Sequence, residues 1–506
     1  LTKKTLILCF FIALKFGLQA VVIAPEYELH RDEFLHLDQG KHLAWGYLSV
    51  PPFTSWISYL ILLLGNSVFW VKFFPALFGV FTLVIVWRAI EELGGDLFAL
   101  VLGASAITFS VLLRINMLYQ PNTVDILGWT LLYFCLLKYI NSNHSKRLYI
   151  MAIVLAFSFL NKYNILFLII GLIPALALTA QRKIFTNKHL YFAASLALLI
   201  VLPNLIWQYQ NHFPVIHHME LLSKTQLVHV NRFDFLKEQI LFFLSSVFII
   251  FSAFVSFFVY PPFRKYQVFF WSFLFTFFLF IYLRAKGYYA IGLYPIFLAF
   301  GAVYLEKMWT AKYLWLRYAA MLVVLVLFYP ILKVGLPVES PADIVKNPGA
   351  YKALGLLRWE DGKDHKLPQD YADMQGWKEL AQKVDANYEK ISDKKHTLVL
   401  CDNYGQAGAI NFYSKFKNIQ AVTMNADYIG WIPLDEEIKN IILVQNADDD
   451  DKERKKEQPL FQKIMMTGKI ENPYARERGT SIYMLLDAKV SINKILENDI
   501  LENRWD

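Results

Sequence analysis

Apolar runs close to the ~20 residues that a bilayer core requires follow one another through the first two thirds of the chain, joined by short polar connections. They predict about eleven or more spanning helices, at 5–23, 68–88, 96–113, 122–140, 148–161, 164–180, 189–209, 236–259, 267–284, 288–305 and 313–334. Residues 52–64 are apolar but short and predict a re-entrant or interfacial helix. After about residue 335 the pattern changes. Pro337, Pro341, Pro348 and Gly349 mark a linker. Beyond it, Gly376–Ser392 and Ala407–Lys415 predict helices, and His396–Cys401, Lys439–Val444 and Thr480–Leu486 predict strands. That alternation suggests a small α/β domain, and the charge-rich run Asp448–Glu457 predicts a solvated loop. Two domains are expected: a transmembrane one over 1–335, with its first outer loop at 24–67, and an α/β one over 336–506.

Composition agrees with a membrane protein. Of 506 residues, 56% are hydrophobic and 16% aromatic, which a water-soluble chain rarely reaches. The net charge of +8 is scattered among the loops, which fits positive-inside topology and anionic headgroups and not the single basic patch of a nucleic-acid binder. Three cysteines show neither a disulfide framework nor metal spacing. The first 23 residues, with Lys3 and Lys4 ahead of an apolar run and no convincing small-x-small cleavage site, read as a retained span. With the N-terminus inside, Lys138, Lys146, Arg147, Arg182, Lys183, Arg264 and Lys265 are cytoplasmic. Arg114, Lys162, Lys224, Arg232, Arg284 and Lys286 then fall on the outer face, against the usual bias. An anionic ligand held there is one physical reason to keep them.

The candidate chemistry starts in the first outer loop. Residues 31–44 predict a short amphipathic helix, with Asp32, His36 and Gln39 on one face and Phe34, Leu37, Lys41 and Ala44 on another. Trp45 and Tyr47 suit a membrane–water interface, and Pro51-Pro52 ends the helix. A carboxylate pair at a helix start complements the helix dipole without any chemistry. At a membrane exit, Asp32 and Glu33 also suit a base and its orienting partner. Arg284 and Lys286 flank a short outer turn, where snorkelling is the bland reading and phosphate capture the functional one, with Tyr288 and Tyr289 adding donors. Arg114 and Lys162 are further cations for that anion site. Asp125, about one turn inside a span, is costly there and marks a functional or paired group; with Tyr288, Tyr289 and Tyr47 it completes a candidate substrate-binding set. His217, His218 and Glu220 are poor metal partners, since adjacent histidines diverge. No divalent ion or other cofactor is demanded, and a metal stays open. Asp402-Asn-Tyr-Gly-Gln-Ala-Gly408 lacks the glycine fingerprint and Lys-Ser/Thr of a phosphate loop and reads as structural.

These residues carry a family likeness. Asp32-Glu33, Leu43-Ala-Trp-Gly-Tyr47 with Pro51-Pro52, Leu160-Asn-Lys-Tyr163, Leu202-Pro-Asn-Leu-Ile-Trp-Gln208 and Lys286-Gly-Tyr-Tyr289 resemble, in order over roughly 1–310, the bacterial glycosyltransferase family 39 proteins. These are relatives of protein O-mannosyltransferases and of the lipid A aminoarabinose transferase. Asp402–Gly408 and Asn472-Pro-Tyr-Ala-Arg-Glu-Arg-Gly479 look like the tails of bacterial members. The resemblance implies a GT-C fold, a polyprenyl-phosphate-sugar donor, and a catalytic carboxylate at Asp32 with Glu33 as partner. It implies a multi-pass protein of the inner membrane, its site and C-terminal domain periplasmic, transferring sugar to a protein, lipid A or glycan hydroxyl. The alternative class is a transporter or flippase for a lipid-linked or anionic substrate. That would place polar groups near the bilayer midplane with repeat symmetry, whereas here the charges gather in outer loops.

Overall fold

The computed structural model describes residues 2–225 and 227–503. The chain is a helical bundle followed by a small mixed sheet. Among the described residues, six helices are long and apolar enough to cross a membrane: Lys3–Val21, Val68–Glu92, Pro121–Ser142, Lys188–Gln210, Pro261–Tyr282 and Ala311–Gly335. Three bent pairs bring the number to as many as nine if each is one span. The chain is therefore a multi-pass membrane protein, with fewer full-length spans than the hydropathy runs predict.

The shortfall has a physical cause. The runs at 96–113 and 236–259 are each broken. The first is helical over Leu97–Thr108, with a separate turn at Leu112–Ile115. The second splits into Arg232–Phe242 and Val247–Val259, bent by 99°. The two breaks satisfy each other: the Val111 N–H donates to the Phe242 carbonyl at 3.1 Å, and the Ser245 hydroxyl donates to the Phe109 carbonyl at 2.5 Å. Irregular backbone at this depth is tolerated where protein partners replace water. Hydropathy cannot see such breaks, because the residues in them stay apolar. Elsewhere the helices meet at small residues, as expected where lipid offers no hydrophobic drive to associate. A Cβ on Gly301 would run into the Ile249 carbonyl, and one on Gly171 into Thr276.

The apolar stretch after Pro52 forms a helix of 11 residues, Phe53–Leu63. The loop after the first helix forms the helix Arg31–Gln39, capped reciprocally by the His30 ring and the Glu33 carboxylate. Its two faces are both covered. Glu33, Phe34, Leu35, His36, Leu37, Asp38 and Gln39 are all buried, because the polar face docks on the C-terminal region instead of water.

That region holds five strands, β1 (Thr397–Cys401), β2 (Ala421–Thr423), β3 (Asn440–Gln445), β4 (Phe461–Lys469) and β5 (Ser481–Ala488), in the order β2-β1-β3-β5-β4. β1 runs parallel to β2 and β3, and β5 antiparallel to β3 and β4. β3 is central, with five of its six residues buried, as a strand covered on both faces requires. β2 has three residues, too few for an alternation to show, and edge strand β4 is mostly exposed; neither is visible in the hydropathy. The helices Trp377–Lys390 and Tyr404–Tyr413 cover the sheet on the side of the bundle. The charge-rich run after Asp448 is anchored, not merely solvated: Arg454 is 3% exposed and ion-paired with Asp449.

Bundle and sheet region share one apolar cluster. Phe34 meets Trp377, Phe412 and Tyr413 edge-on or tilted, with ring centroids 5.7, 6.1 and 5.8 Å away. Gly408 makes this approach possible, since a Cβ there would stand 2.6 Å from that of Phe34 and 2.7 Å from the Tyr428 hydroxyl. We expect Gly408→Ala to destabilise the protein by about 1–3 kcal/mol, read as a lower melting temperature of the detergent-purified chain.

Candidate active site

A cavity of about 460 Å³ lies where one end of the bundle meets the C-terminal region. Its walls come from four stretches: the first-loop helix (His30, Arg31, Asp32), the short connections at the same end of the bundle (Arg114, Gln120, Asn122, Lys286, Tyr288), the segment before the sheet (Glu360, Gln369, Asp370, Asp373), and two sheet-region residues, Tyr404 and Arg476. Val111, Ile115, Leu118, Phe242 and Ile291 form its apolar floor, so the paired helix breaks open directly beneath it.

Asp32 and Glu33 take opposite fates. Glu33 is fully buried and accepts from both sides. Lys72 Nζ lies 2.7 Å from each of its oxygens, and the backbone N–H groups of His30 and Tyr119 each donate at 2.7 Å. Every lone pair facing the protein is used, and Glu33 does not line the cavity. Asp32, the next residue round the helix, keeps 40% of its side chain exposed and faces the cavity. The Tyr404 hydroxyl donates to Oδ1 at 2.8 Å and the Gln120 amide to Oδ2 at 3.1 Å. Burial pushes the Asp32 pKa up, but His30, Arg31 and the Tyr404 hydroxyl outweigh it and hold the carboxyl below its ordinary value. Burial pushes the His30 pKa down, but Asp370, Asp32 and Asp373 outweigh it and raise it to about 9; its Nδ1 lies 3.2 Å from the Asp32 amide and its Nε2 3.8 Å from Asp370 and 3.9 Å from Asp373.

The cations are set around this carboxylate, each beside an acid. Lys286 donates to Glu360 at 2.6 Å, Arg114 to Asp370 at 2.9 Å, and Arg476 to both oxygens of Asp373 at 3.2 Å. Arg31 stacks on the Tyr404 ring, 4.3 Å from its centroid. The pairing is incomplete: Arg31 Nε, Arg114 Nη1 and His30 Nε2 are buried without a hydrogen-bond partner. Burial opposes ionisation of Asp370 and Glu360. His30 and Arg114 nevertheless hold Asp370 well below the usual carboxylate range, and Lys286 holds Glu360 below its own.

Of the other residues singled out in the sequence, Tyr288 lines the cavity and Lys162 stands one layer behind it. Lys162 donates to Asn122 at 2.7 Å, Asn122 to Gln120 at 3.0 Å, and Gln120 reaches Asp32, while Lys162 lies 4.5 Å from the Tyr289 ring. Tyr289, Arg284, Asp125 and Tyr47 do not line the cavity. Arg284, at φ 53° on the turn that follows the helix ending at Tyr282, is exposed. Asp125 is buried within its helix, held by Trp129 at 2.9 Å and Asn164 at 2.8 Å. Tyr47 is buried and donates to the Gln39 and His42 carbonyls at 3.0 Å. Sequence reasoning passed over Arg31, Gln120, Tyr404, Arg476 and the three acids Glu360, Asp370 and Asp373. The signal for two of them was there: Asp402–Gly408 carries Tyr404, and Asn472–Gly479 carries Arg476.

Comparison with known proteins agrees with this architecture. Across 97% of this chain and 99% of the other, the fold superposes on the crystal structure of ArnT from Cupriavidus metallidurans bound to undecaprenyl phosphate, with TM-score 0.65 and 12% identity. The apo form of the same protein gives 0.64 with 14% identity. The chain thus has the GT-C fold of that membrane protein. Residues 49–207 match the family described as dolichyl-phosphate-mannose-protein mannosyltransferase. A curated relative, the lipid A galacturonosyltransferase RgtD of Rhizobium johnstonii, is 22% identical over 208 residues, 40% of this chain and 42% of its own length. The chain is thus similar to ArnT in fold across nearly its whole length, and to the mannosyltransferase family over residues 49–207.

Breaking one side of a buried ion pair costs roughly 3–5 kcal/mol, since the other charge is left alone. Glu33→Gln and Lys72→Met are each expected to lower the melting temperature in detergent, and the double variant to recover much of the loss. Additive losses would show that the two charges do not depend on each other.

Proposed function

We propose that the protein is an inverting glycosyltransferase, moving a sugar from a polyprenyl-phosphate donor to an acceptor hydroxyl at the periplasmic face of the inner membrane. One observation carries the reading: the half-open Asp32 carboxylate, held at its two oxygens by the uncharged donors Tyr404 and Gln120, faces a cavity lined by Arg31, Arg114, Lys286 and Arg476 over an apolar floor. Asp32 is the base and takes the acceptor's hydroxyl proton. The acceptor oxygen forms its bond to the anomeric carbon from the side opposite the phosphate, so the configuration inverts. The bond from anomeric carbon to phosphate oxygen breaks, and polyprenyl phosphate leaves with the electron pair. The growing charge on the phosphate is met by Lys286 and Arg114, with Arg31 and Arg476 beside them. Cations preorganised where charge develops stabilise the transition state more than the ground state, and a phosphate leaving group needs no separate acid. Glu33 acts on the base indirectly, by anchoring its helix, and Lys162 does so through Asn122 and Gln120. In the unliganded cavity Glu360, Asp370 and Asp373 neutralise the cations that a phosphate would meet. The likeness to a lipid A galacturonosyltransferase favours lipid A among the acceptors, with protein and glycan hydroxyls as the others.

Purified protein is to be offered undecaprenyl-phosphate-linked mannose, galacturonic acid and aminoarabinose, with membranes of a strain lacking the protein as acceptor source. Transfer of one of these sugars is expected, and mass spectrometry of lipid A and glycoproteins identifies its destination. Asp32→Asn should lower kcat by roughly 10²–10⁴, and full activity would remove Asp32 as the base. Lys286→Ala should raise the KM for the donor in a protein that still folds; an unchanged KM excludes its phosphate role. The pH dependence has a definite sign. Asp32 acts as the carboxylate, and its pKa lies below the ordinary aspartate value. The rate should therefore hold from neutrality down through the usual carboxylate range and fall only below it.

A further inference from the structure

Asp32 is gripped from two sides by parts of the chain that are remote in sequence. Gln120, from the bundle, donates to one oxygen, and Tyr404, 372 residues further along the chain, donates to the other. An ionised carboxylate only accepts, so the phenol must be the donor. With one donor on each oxygen the plane of the carboxylate is fixed, and each oxygen keeps a lone pair for an incoming proton.

The sequence around Tyr404 is built to hold that ring still. Asn403 caps the helix that Tyr404 begins, its side-chain oxygen accepting from the N–H groups of Gly405 at 3.0 Å and Gln406 at 3.2 Å. Gln406 and Asn403 in turn donate to Glu477, at 2.6 and 3.3 Å, which ties this turn to the segment bearing Arg476. Gly405 leaves room for Arg31: a Cβ there would stand 2.6 Å from Arg31 Cγ. The guanidinium of Arg31 then covers the Tyr404 ring at 4.3 Å, a cation–π contact that favours one rotamer. A tyrosine held only to fill space would not need this frame, since a phenylalanine would pack as well.

We infer that Tyr404 is a positioning residue for the transfer reaction: its hydroxyl orients the Asp32 carboxylate toward the acceptor proton, making the C-terminal region part of the catalytic apparatus. The inference rests on the reading of Asp32 as the base. Tyr404 touches the base and not the substrate, so its loss acts on the rate and on the titration of Asp32, not on donor binding. The groups facing Asp32 are His30, Arg31 and His36 from its own segment, Tyr404, Tyr288 and Asp373. Of these, removal of the Tyr404 hydroxyl alone takes a direct hydrogen bond from the carboxylate and raises its pKa.

The test is Tyr404→Phe in the full-length, detergent-purified protein, which keeps the ring beneath Arg31. Transfer of whichever of the three undecaprenyl-phosphate sugars the wild type uses should show kcat lowered roughly 10–100-fold with donor KM unchanged. The acid limb of the rate profile should move up by about one pH unit. Isotope-edited infrared titration of the protein labelled with ¹³C-carboxyl aspartate, differenced against Asp32→Asn, reads the same shift without any sugar. An unchanged melting temperature confirms that the fold is kept. A wild-type kcat and titration in Tyr404→Phe, with Asp32→Asn inactive, overturn the inference and leave the base intact. An active Asp32→Asn overturns the base, and the inference falls with it.

Discussion

The buried pair of Glu33 and Lys72 is the constraint on which the cavity depends. A carboxylate taken fully out of water is costly unless every lone pair finds a donor. Glu33 meets that requirement with Lys72 and two backbone N–H groups. Those donors belong to the first loop itself, to the helix Val68–Glu92 and to the chain just ahead of the helix beginning at Pro121, so one side chain ties three segments together. The consequence for Asp32 is geometric. Successive residues on a helix point about 100° apart, and with Glu33 directed into the bundle its neighbour is directed into the cavity. Anchor and base are thus one decision about the rotation of a single short helix.

A second docking completes the arrangement from outside. Phe34 and Leu37 on the same helix enter an apolar cluster with Trp377, Ala407 and Ile410. Asp38 accepts from Asn411 and Tyr428 at 2.7 Å, and Gln39 donates to Asp427 at 2.8 Å. Glycines at 405 and 408 allow the close approach. The helix is therefore a shared element, and neither the bundle nor the sheet region alone encloses the cavity. This explains the charge arrangement as well. The bundle and first loop supply Arg31, Arg114 and Lys286, and the segment before the sheet supplies Glu360, Asp370 and Asp373. The pairs Arg114–Asp370 and Lys286–Glu360 form across that junction and Arg476–Asp373 on its C-terminal side, so the unliganded site is nearly neutral and an anion must exchange with a carboxylate partner to enter.

Some of this was legible in the residues. The membrane bundle, the change of composition after residue 335, the strand at His396–Cys401 and its helix, and the gathering of Asp32, Arg114 and Lys286 at one end of the bundle follow from periodicity and charge. Asp32 and Glu33 were not separable in sequence, since adjacent carboxylates look alike until the helix they share is rotated against a partner. Arg284 and Lys286 were equally inseparable: they are two residues apart, and only Lys286 of the two lines the cavity.

Hydropathy along the chain determined that this protein lies in a membrane and roughly where it leaves it, because transfer of apolar residues is a local property that sums along a segment. What only the tertiary structure decided is which polar groups meet. The two helix breaks at Phe109–Val111 and Phe243–Ser246 exist because each satisfies the other. Tyr404 and Arg476 reach the cavity because a sheet folds them back onto a loop more than 370 residues away. Hydrogen bonds and ion pairs are contacts between remote residues, and no local pattern encodes their partner.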